Sequence, residues 1–240
     1  SVGGSYTSTI TNVEGCSTAT VRTVVVNPLP TPAISGLNTI CVGQTTTLTA
    51  TGGGTYLWST GATTSTIAVN PTVTTLYTAT VTSASGCTAT ASRNVTVNNL
   101  PTASITGTAF ICEGQSTTLT ASGGVSYLWN TGNNTAAINV SPSVDAAYTA
   151  TVTNASGCSA TAVRNVTVNA QPTATISGTS SICNGQSTIL TATGGSSYIW
   201  STGATTPTII VNPSTNTAYT STVISAAGCT ATAVRNLTVN

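Results

Sequence analysis

Seven cysteines, four arginines and three acids are the strongly reactive or charged residues of this 240-residue chain, which has neither lysine nor histidine. Their spacing says more than their number. Cys16, Cys87, Cys158 and Cys229 each follow a glycine at steps of 71 residues, and Cys41, Cys112 and Cys183 recur in Ile-Cys-x-Gly-Gln at the same step. Neither series has the CxxC spacing of a metal or redox site. Without histidine there is no triad and no histidine zinc ligand, and no carboxylate pair recurs for acid–base work. Glu14, Glu113 and Asp145 are too few and too scattered for oxygen-rich calcium sites. The expectation is a protein that is not an enzyme and holds no metal and no cofactor. Two cysteines per step with no metal partner read instead as disulfides formed in an oxidising compartment.

The same step runs through other singular residues. Trp58, Trp129 and Trp200 keep it, as do Arg22, Arg93, Arg164 and Arg235, with Pro30, Pro101 and Pro172 at the seams. The organisation expected is three units, 30–100, 101–171 and 172–240, preceded at 1–29 by the C-terminal part of another, in which Tyr6, Cys16 and Arg22 match Tyr77, Cys87 and Arg93. A chain that starts in mid-unit, without a signal peptide, suggests a window on a longer array. Threonine accounts for 57 residues and the net charge is +1. Such a chain offers no electrostatic footprint for nucleic acid, and no apolar run is long enough to insert in a membrane.

Within a unit the pattern is that of strands. Thr45–Thr51 alternates Leu48 and Ala50 against threonines, and Leu76–Thr82 sets Tyr77, Ala79 and Val81 against Thr78, Thr80 and Thr82. Threonine is β-branched and tolerates water, which suits the outer face of a half-buried strand. Gly- and Pro-containing turns separate six or seven such runs per unit, the pattern of a β-sandwich. Trp58, Trp129 and Trp200 are expected in the core, with Tyr77, Tyr148 and Tyr219. Leu57, Leu128 and Ile199 fall on the opposite parity, where they either contact neighbouring rods laterally or are buried by a twist. The arginines recur without a recurring acid, so salt bridging cannot explain them. Arg93 shares the parity of Ala91 and Val95, which turns its stem inward unless a bulge re-aims it, and a role at a domain junction or in bonding backbone carbonyls is expected. Asn94, Asn133, Asn154, Asn165 and Asn236 match the N-glycosylation acceptor pattern, a coincidence in so Thr- and Asn-rich a chain.

The stretch ICVGQTTTLTATGGGTYLWSTGATTSTIAVNPTVTTLYTATVTSASGCTATASRNVTVN, recurring along the chain, resembles the immunoglobulin-like or PKD-like repeats of very large surface and secreted proteins of Bacteroidota. It is similar to the adhesin repeats of gliding-motility and type IX-secreted proteins. The resemblance implies an all-β tandem array of immunoglobulin-like sandwiches with a 71-residue repeat. It also implies an extracellular or cell-surface location and a role as the shaft of a fibre or adhesin. Tyr77, Tyr148 and Tyr219 resemble a tyrosine corner, its hydroxyl bonded to nearby backbone.

Two disulfide schemes follow. In-domain bookkeeping pairs Cys41 with Cys87, Cys112 with Cys158, and Cys183 with Cys229. The topology of an immunoglobulin-like sandwich puts those partners at opposite ends, and favours cross-domain pairs Cys41–Cys158 and Cys112–Cys229. In either scheme Cys16 pairs outside the segment, and in the cross-domain scheme Cys87 and Cys183 do so too. The partners expected are neighbouring repeats or other copies of the fibre. The alternative function is a multivalent glycan-binding or cell-adhesion module using loops such as Gly52–Thr55 and Ser59–Thr64.

Overall fold

A computed structural model describes residues 3–240. All regular structure in them is β. Two compact bodies are present, Ser1–Leu100 and Pro101–Asn240.

In the first body a hairpin of β1 (Gly4–Thr11) and β2 (Ser17–Val24) leads. Seven strands follow: β3 (Ala33–Ser35), β4 (Thr39–Cys41), β5 (Thr46–Thr51), β6 (Thr55–Trp58), β7 (Thr66–Val69), β8 (Thr75–Thr82) and β9 (Thr88–Asn98). They make two sheets, β3-β5-β7 and β4-β9-β8-β6. All pairings are antiparallel except β4 with β9, which is parallel because the chain crosses from one sheet to the other between β3 and β4. This is the immunoglobulin-like arrangement.

The second body carries the pattern twice more. Its strands are β10 (Ser104–Thr106), β11 (Phe110–Cys112), β12 (Thr117–Ser122), β13 (Ser126–Trp129), β14 (Ala137–Val140), β15 (Ala146–Thr153) and β16 (Ser159–Asn169), then β17 (Thr175–Ser177), β18 (Ser181–Ile182), β19 (Thr188–Thr193), β20 (Ser197–Trp200), β21 (Thr208–Val211), β22 (Thr217–Ile224) and β23 (Thr230–Val239). The sheets are β10-β12-β14 with β11-β16-β15-β13, and β17-β19-β21 with β18-β23-β22-β20.

Alternation of apolar and threonine side chains is what makes these sheets two-faced. Leu48 and Ala50 of β5 and Tyr77, Ala79 and Val81 of β8 are buried, whereas Thr47, Thr49 and Thr51 stand outside. Thr46 breaks the pattern on β5: it is buried, and its hydroxyl donates to Leu37 O at 3.4 Å. Each sandwich has its own small core. The first gathers Leu48, Trp58, Ile67, Tyr77 and Val95, the second Leu119, Trp129, Ile138, Tyr148 and Val166, and the third Leu190, Trp200, Ile209, Tyr219 and Leu237. The indole N–H, which must not be buried unsatisfied, donates to Thr64 O, Thr135 O and Thr206 O, each at 2.9 Å.

The tyrosine-corner expectation needs correction. Tyr77, Tyr148 and Tyr219 pack in the cores, but no backbone carbonyl accepts from their hydroxyls among the described residues. The bond back to the chain is made by the other tyrosine series, Tyr56 to Gly53 O at 3.2 Å, with Tyr127 to Gly124 O and Tyr198 to Gly195 O at 2.9 Å. Those tyrosines are only half-buried on short strands, so a three-residue return reaches the glycine turn just before them.

Candidate functional site

The chemistry of this chain is concentrated where its cysteines sit, and two local motifs hold them. The first is the turn after the short parallel strand. In Ile40-Cys41-Val42-Gly43-Gln44, the Gln44 N–H donates to Cys41 O while Gln44 Oε1 accepts from Cys41 N–H, both at 3.0 Å. Gln115 and Gln186 donate the same backbone bond to Cys112 O and Cys183 O. The next residue ties the turn to the end of the long strand, Val42 N–H to Asn98 O and Glu113 N–H to Asn169 O. Parallel pairing sets Cys112 opposite Asn169. The first cysteine is thereby fixed at the end of β11, beside the end of β16.

The second motif is the hairpin before the long strand. In Ser225-Ala226-Ala227-Gly228-Cys229 the Ser225 N–H donates to Cys229 O and the Gly228 N–H to Ser225 O, with Gly228 at φ +82°. The Ser225 hydroxyl accepts from Cys229 N–H at 3.1 Å. Asn12, Ser83 and Asn154 do the same for Cys16, Cys87 and Cys158. A short polar side chain four residues before each cysteine locks the turn and aims the sulfur.

Cys112 and Cys229 are joined by a disulfide, with Cα atoms 5.6 Å apart and 117 residues between them in sequence. The Cys229 Sγ lies 3.7 Å from Asn169 O, at the seam between the two sandwiches. Neither Cys41 nor Cys158 is a free thiol, whereas Cys16, Cys87 and Cys183 are. The in-domain scheme is not formed: Cys87 is free, Cys112 is not bonded to Cys158, and Cys229 is not bonded to Cys183. Strand length is the reason. Cys158 immediately precedes the 11-residue β16 and Cys112 lies opposite its last residue, Asn169. At ~3.3 Å per residue the two stand ~36 Å apart, far beyond the ~7 Å that a disulfide tolerates between Cα atoms.

Arg93, Arg164 and Arg235 depart from the junction half of their expectation. They bond backbone, but inside their own sandwich and not at a junction. Arg93 pairs with Tyr77 in an unbroken register, so no bulge re-aims it and its stem points inward. Its Nη2 donates to Gly36 O at 2.5 Å and Nη1 to Ile34 O at 3.3 Å. Arg164 and Arg235 make the same Nη2 bond to Gly107 O and Gly178 O at 2.5 Å. The accepting glycines sit where the chain switches sheets. At Gly107, φ is +132° and an added Cβ would lie 2.5 Å from Thr118 O, so no other residue fits. The guanidinium clamps that kink, although the Nε of all three arginines is buried without a partner. The recurrence of Gly36, Gly107 and Gly178, each 57 residues before its arginine, was a signal available in the sequence.

Asp145 has a structural duty that its isolation in the sequence concealed. Its Oδ1 accepts from Val168 N–H at 2.7 Å, while Thr74 Oγ1 serves Val97 and Asn216 Oδ1 serves Val239. An oxygen acceptor is what the position requires, and charge is incidental. Leu57, Leu128 and Ile199 stay outside, 54 %, 55 % and 49 % exposed, opposite Thr80, Thr151 and Thr222. No twist or bulge buries them. No group of three or more potential metal-ligating side chains occurs among the described residues.

No protein-family model matches the chain, and no curated protein matches its sequence. Three solved structures are among those it resembles. A three-immunoglobulin-domain structure from titin is 14 % identical over 89 % of this chain and 100 % of its own, with a TM-score of 0.39. A 1.5-MDa bacterial ice-binding adhesin is 14 % identical over 90 % of this chain and 99 % of its own, with a TM-score of 0.34. The SGBP-B protein of a Bacteroides ovatus mixed-linkage glucan utilization locus, solved with a mixed-linkage heptasaccharide, is 14 % identical over 89 % of this chain and 71 % of its own, with a TM-score of 0.23.

Proposed function

We propose that this chain is a shaft: a segment of an extracellular bacterial fibre or adhesin stalk whose task is to hold a shape under load. The observation that carries the reading is the Cys112–Cys229 bond, which ties the turn after β11 in one sandwich to the β22–β23 hairpin of the next. A bond inside one domain protects that domain. A bond from one domain to its neighbour resists their separation and bending, and that has value only in an object whose stiffness matters. The domain boundaries that go with it are 30–100, 101–171 and 172–240, with 1–29 the end of a preceding repeat. Disulfides support an oxidising compartment. The resemblance of its repeats supports a Bacteroidota cell surface reached by type IX secretion.

Trypsin tests the staple directly, because the arginines fall once per repeat. Cleavage of unreduced, thiol-blocked protein after Arg93, Arg164 and Arg235 should release 94–164 covalently joined to 165–235, separating only on reduction. Separate peptides, with each cysteine pair closed internally, would overturn the junction staple and the shaft with it. Glycan-array binding lost on altering 52–55 and 59–64 would turn the reading to the multivalent adhesion module.

A further inference from the structure

The β1–β2 hairpin repeats the β8–β9 hairpin with its apolar face exposed. Tyr6, Ile10 and Val24 lie on one face of the β1–β2 hairpin at the positions that Tyr77, Val81 and Val95 hold on β8 and β9, and the registers agree: Tyr6 faces Arg22 as Tyr77 faces Arg93. In the sandwich these residues are 7 %, 0 % and 0 % exposed, whereas in the hairpin they are 66 %, 69 % and 50 % exposed. What covers Tyr77 and Val95 in the sandwich is the other five strands, β3 to β7, together with the carbonyls of Ile34 and Gly36 that receive Arg93.

An independent feature lies close to the same hairpin. The Cys87 Sγ lies 3.9 Å from Asn27 O, just as the Cys229 Sγ lies 3.7 Å from Asn169 O. Asn169 is the residue that the partner cysteine, Cys112, faces across the parallel pair. Cys87 is held by Ser83 in the same capped turn that holds Cys229 by Ser225, yet its thiol is free. The sulfur is already beside the strand end where an Ile-Cys turn would bring its partner.

We propose that the β1–β2 hairpin, residues 25–29 and Cys87 form a docking site for one occupant, the five N-terminal strands of a further repeat of this type, and that Cys87 closes a disulfide with the cysteine of its Ile-Cys-x-Gly-Gln turn. The occupant's apolar sheet face completes the core over Tyr6, Ile10 and Val24, its glycine kink receives Arg22, and its short strand pairs parallel beside Asn27. The covalent step is thiol–disulfide exchange. The Cys87 thiolate attacks a small-molecule disulfide such as oxidised glutathione and releases one thiol, and the incoming thiolate displaces the second. Two protein thiols become one disulfide while the oxidant is reduced to two thiols. This rests on the junction-staple reading. It can fail by itself, because the 94–164/165–235 linkage is read in the same digest.

The probe is residues 101–142 of this chain, which comprise β10 to β14 and carry Cys112. Fused in front of Ser1 of the full chain and refolded with a glutathione redox pair, this segment should make Cys87 inaccessible to alkylation. Cys16 and Cys183 should remain alkylated, and Tyr6 should lose its accessibility to iodination. Changing the fused copy's cysteine to serine should free Cys87 while Tyr6 stays protected, which separates docking from bonding. A fused chain whose Cys87 alkylates as fast as Cys16 would overturn the proposal. Added as a free peptide under the same conditions, the segment should label Cys87 in preference to Cys16 and Cys183, and equal labelling of the three would also overturn it.

Discussion

Cutting the Cys112–Cys229 bond should lower the melting temperature of the second body on a scale that its geometry fixes. The bond closes a loop of 117 residues. On the chain-entropy relation such a loop removes about 16 cal/mol/K from the unfolded ensemble, or about 5 kcal/mol at 25 °C. The body it staples runs from Pro101 to Asn240. Its unfolding entropy at ~2.1 cal/mol/K per residue is about 0.3 kcal/mol/K, so the full effect corresponds to a shift of about 16 °C. Alanine is the right replacement, since Cys229 is fully buried and alanine leaves little void. Scanning calorimetry of Cys112→Ala/Cys229→Ala should show a loss on the order of 10 °C or more. It should also show the joint transition separating into two, because each sandwich has its own core. Cys183→Ala, which removes a free thiol, should leave the melt unchanged. A double variant melting within ~2 °C of the parent would refute the reasoning, for it would mean that the two sandwiches never depended on their staple.

Three further outcomes follow from other contacts. Arg164→Lys should cost about 1.5–3 kcal/mol in urea titration, because an ammonium on a flexible stem cannot reproduce the guanidinium's charged bond to Gly107 O. Arg22→Lys, in an exposed hairpin, should stay within ~0.5 kcal/mol. Gly107→Ala should cost about 1–3 kcal/mol through backbone strain alone, and more from the clash with Thr118 O. Gly114→Ala, whose added methyl meets open space, should cost less, and equal losses would remove the kink from the explanation. If Leu57, Leu128 and Ile199 are where rods touch side by side, replacing all three with aspartate should abolish bundling in light scattering and electron microscopy, and unchanged bundles would exclude that face.

Much of the fold was open to reading because threonine and alanine alternate so strictly. A run such as Tyr77-Thr78-Ala79-Thr80-Val81-Thr82 can bury only one set, and it buries Tyr77, Ala79 and Val81. The choice between disulfide schemes was also within reach, since it turned on the length of one strand, and the 11 residues of β16 separate the ends more decisively than a strand of seven or eight would. What stayed hidden depended on directions that a linear pattern does not carry. The parity of Arg93 showed that its stem pointed inward but not that the carbonyls of Ile34 and Gly36 would be waiting there, because those belong to a chain that crosses between sheets. Likewise Asp145, Thr74 and Asn216 look unrelated as residue types and are equivalent only as oxygen acceptors for the last long strand.

The near-absence of charge and the presence of staples belong to one design. Sandwiches of this size have small cores, here filled partly by alanine, and stability must be supplemented. Ion pairs would do so only weakly and would be screened by salt, and the seven charged residues form none among those described. The supplement comes instead from terms that salt does not screen: the covalent bond between Cys112 and Cys229, the indole bonds to Thr64, Thr135 and Thr206, and the arginine clamps on glycine carbonyls. A melting temperature measured in low-salt buffer should therefore hold within ~2 °C at 1 M sodium chloride, where the screening length falls to ~3 Å. A drop of ~5 °C or more would show that long-range electrostatics, and not this set of short-range contacts, holds the sandwiches closed.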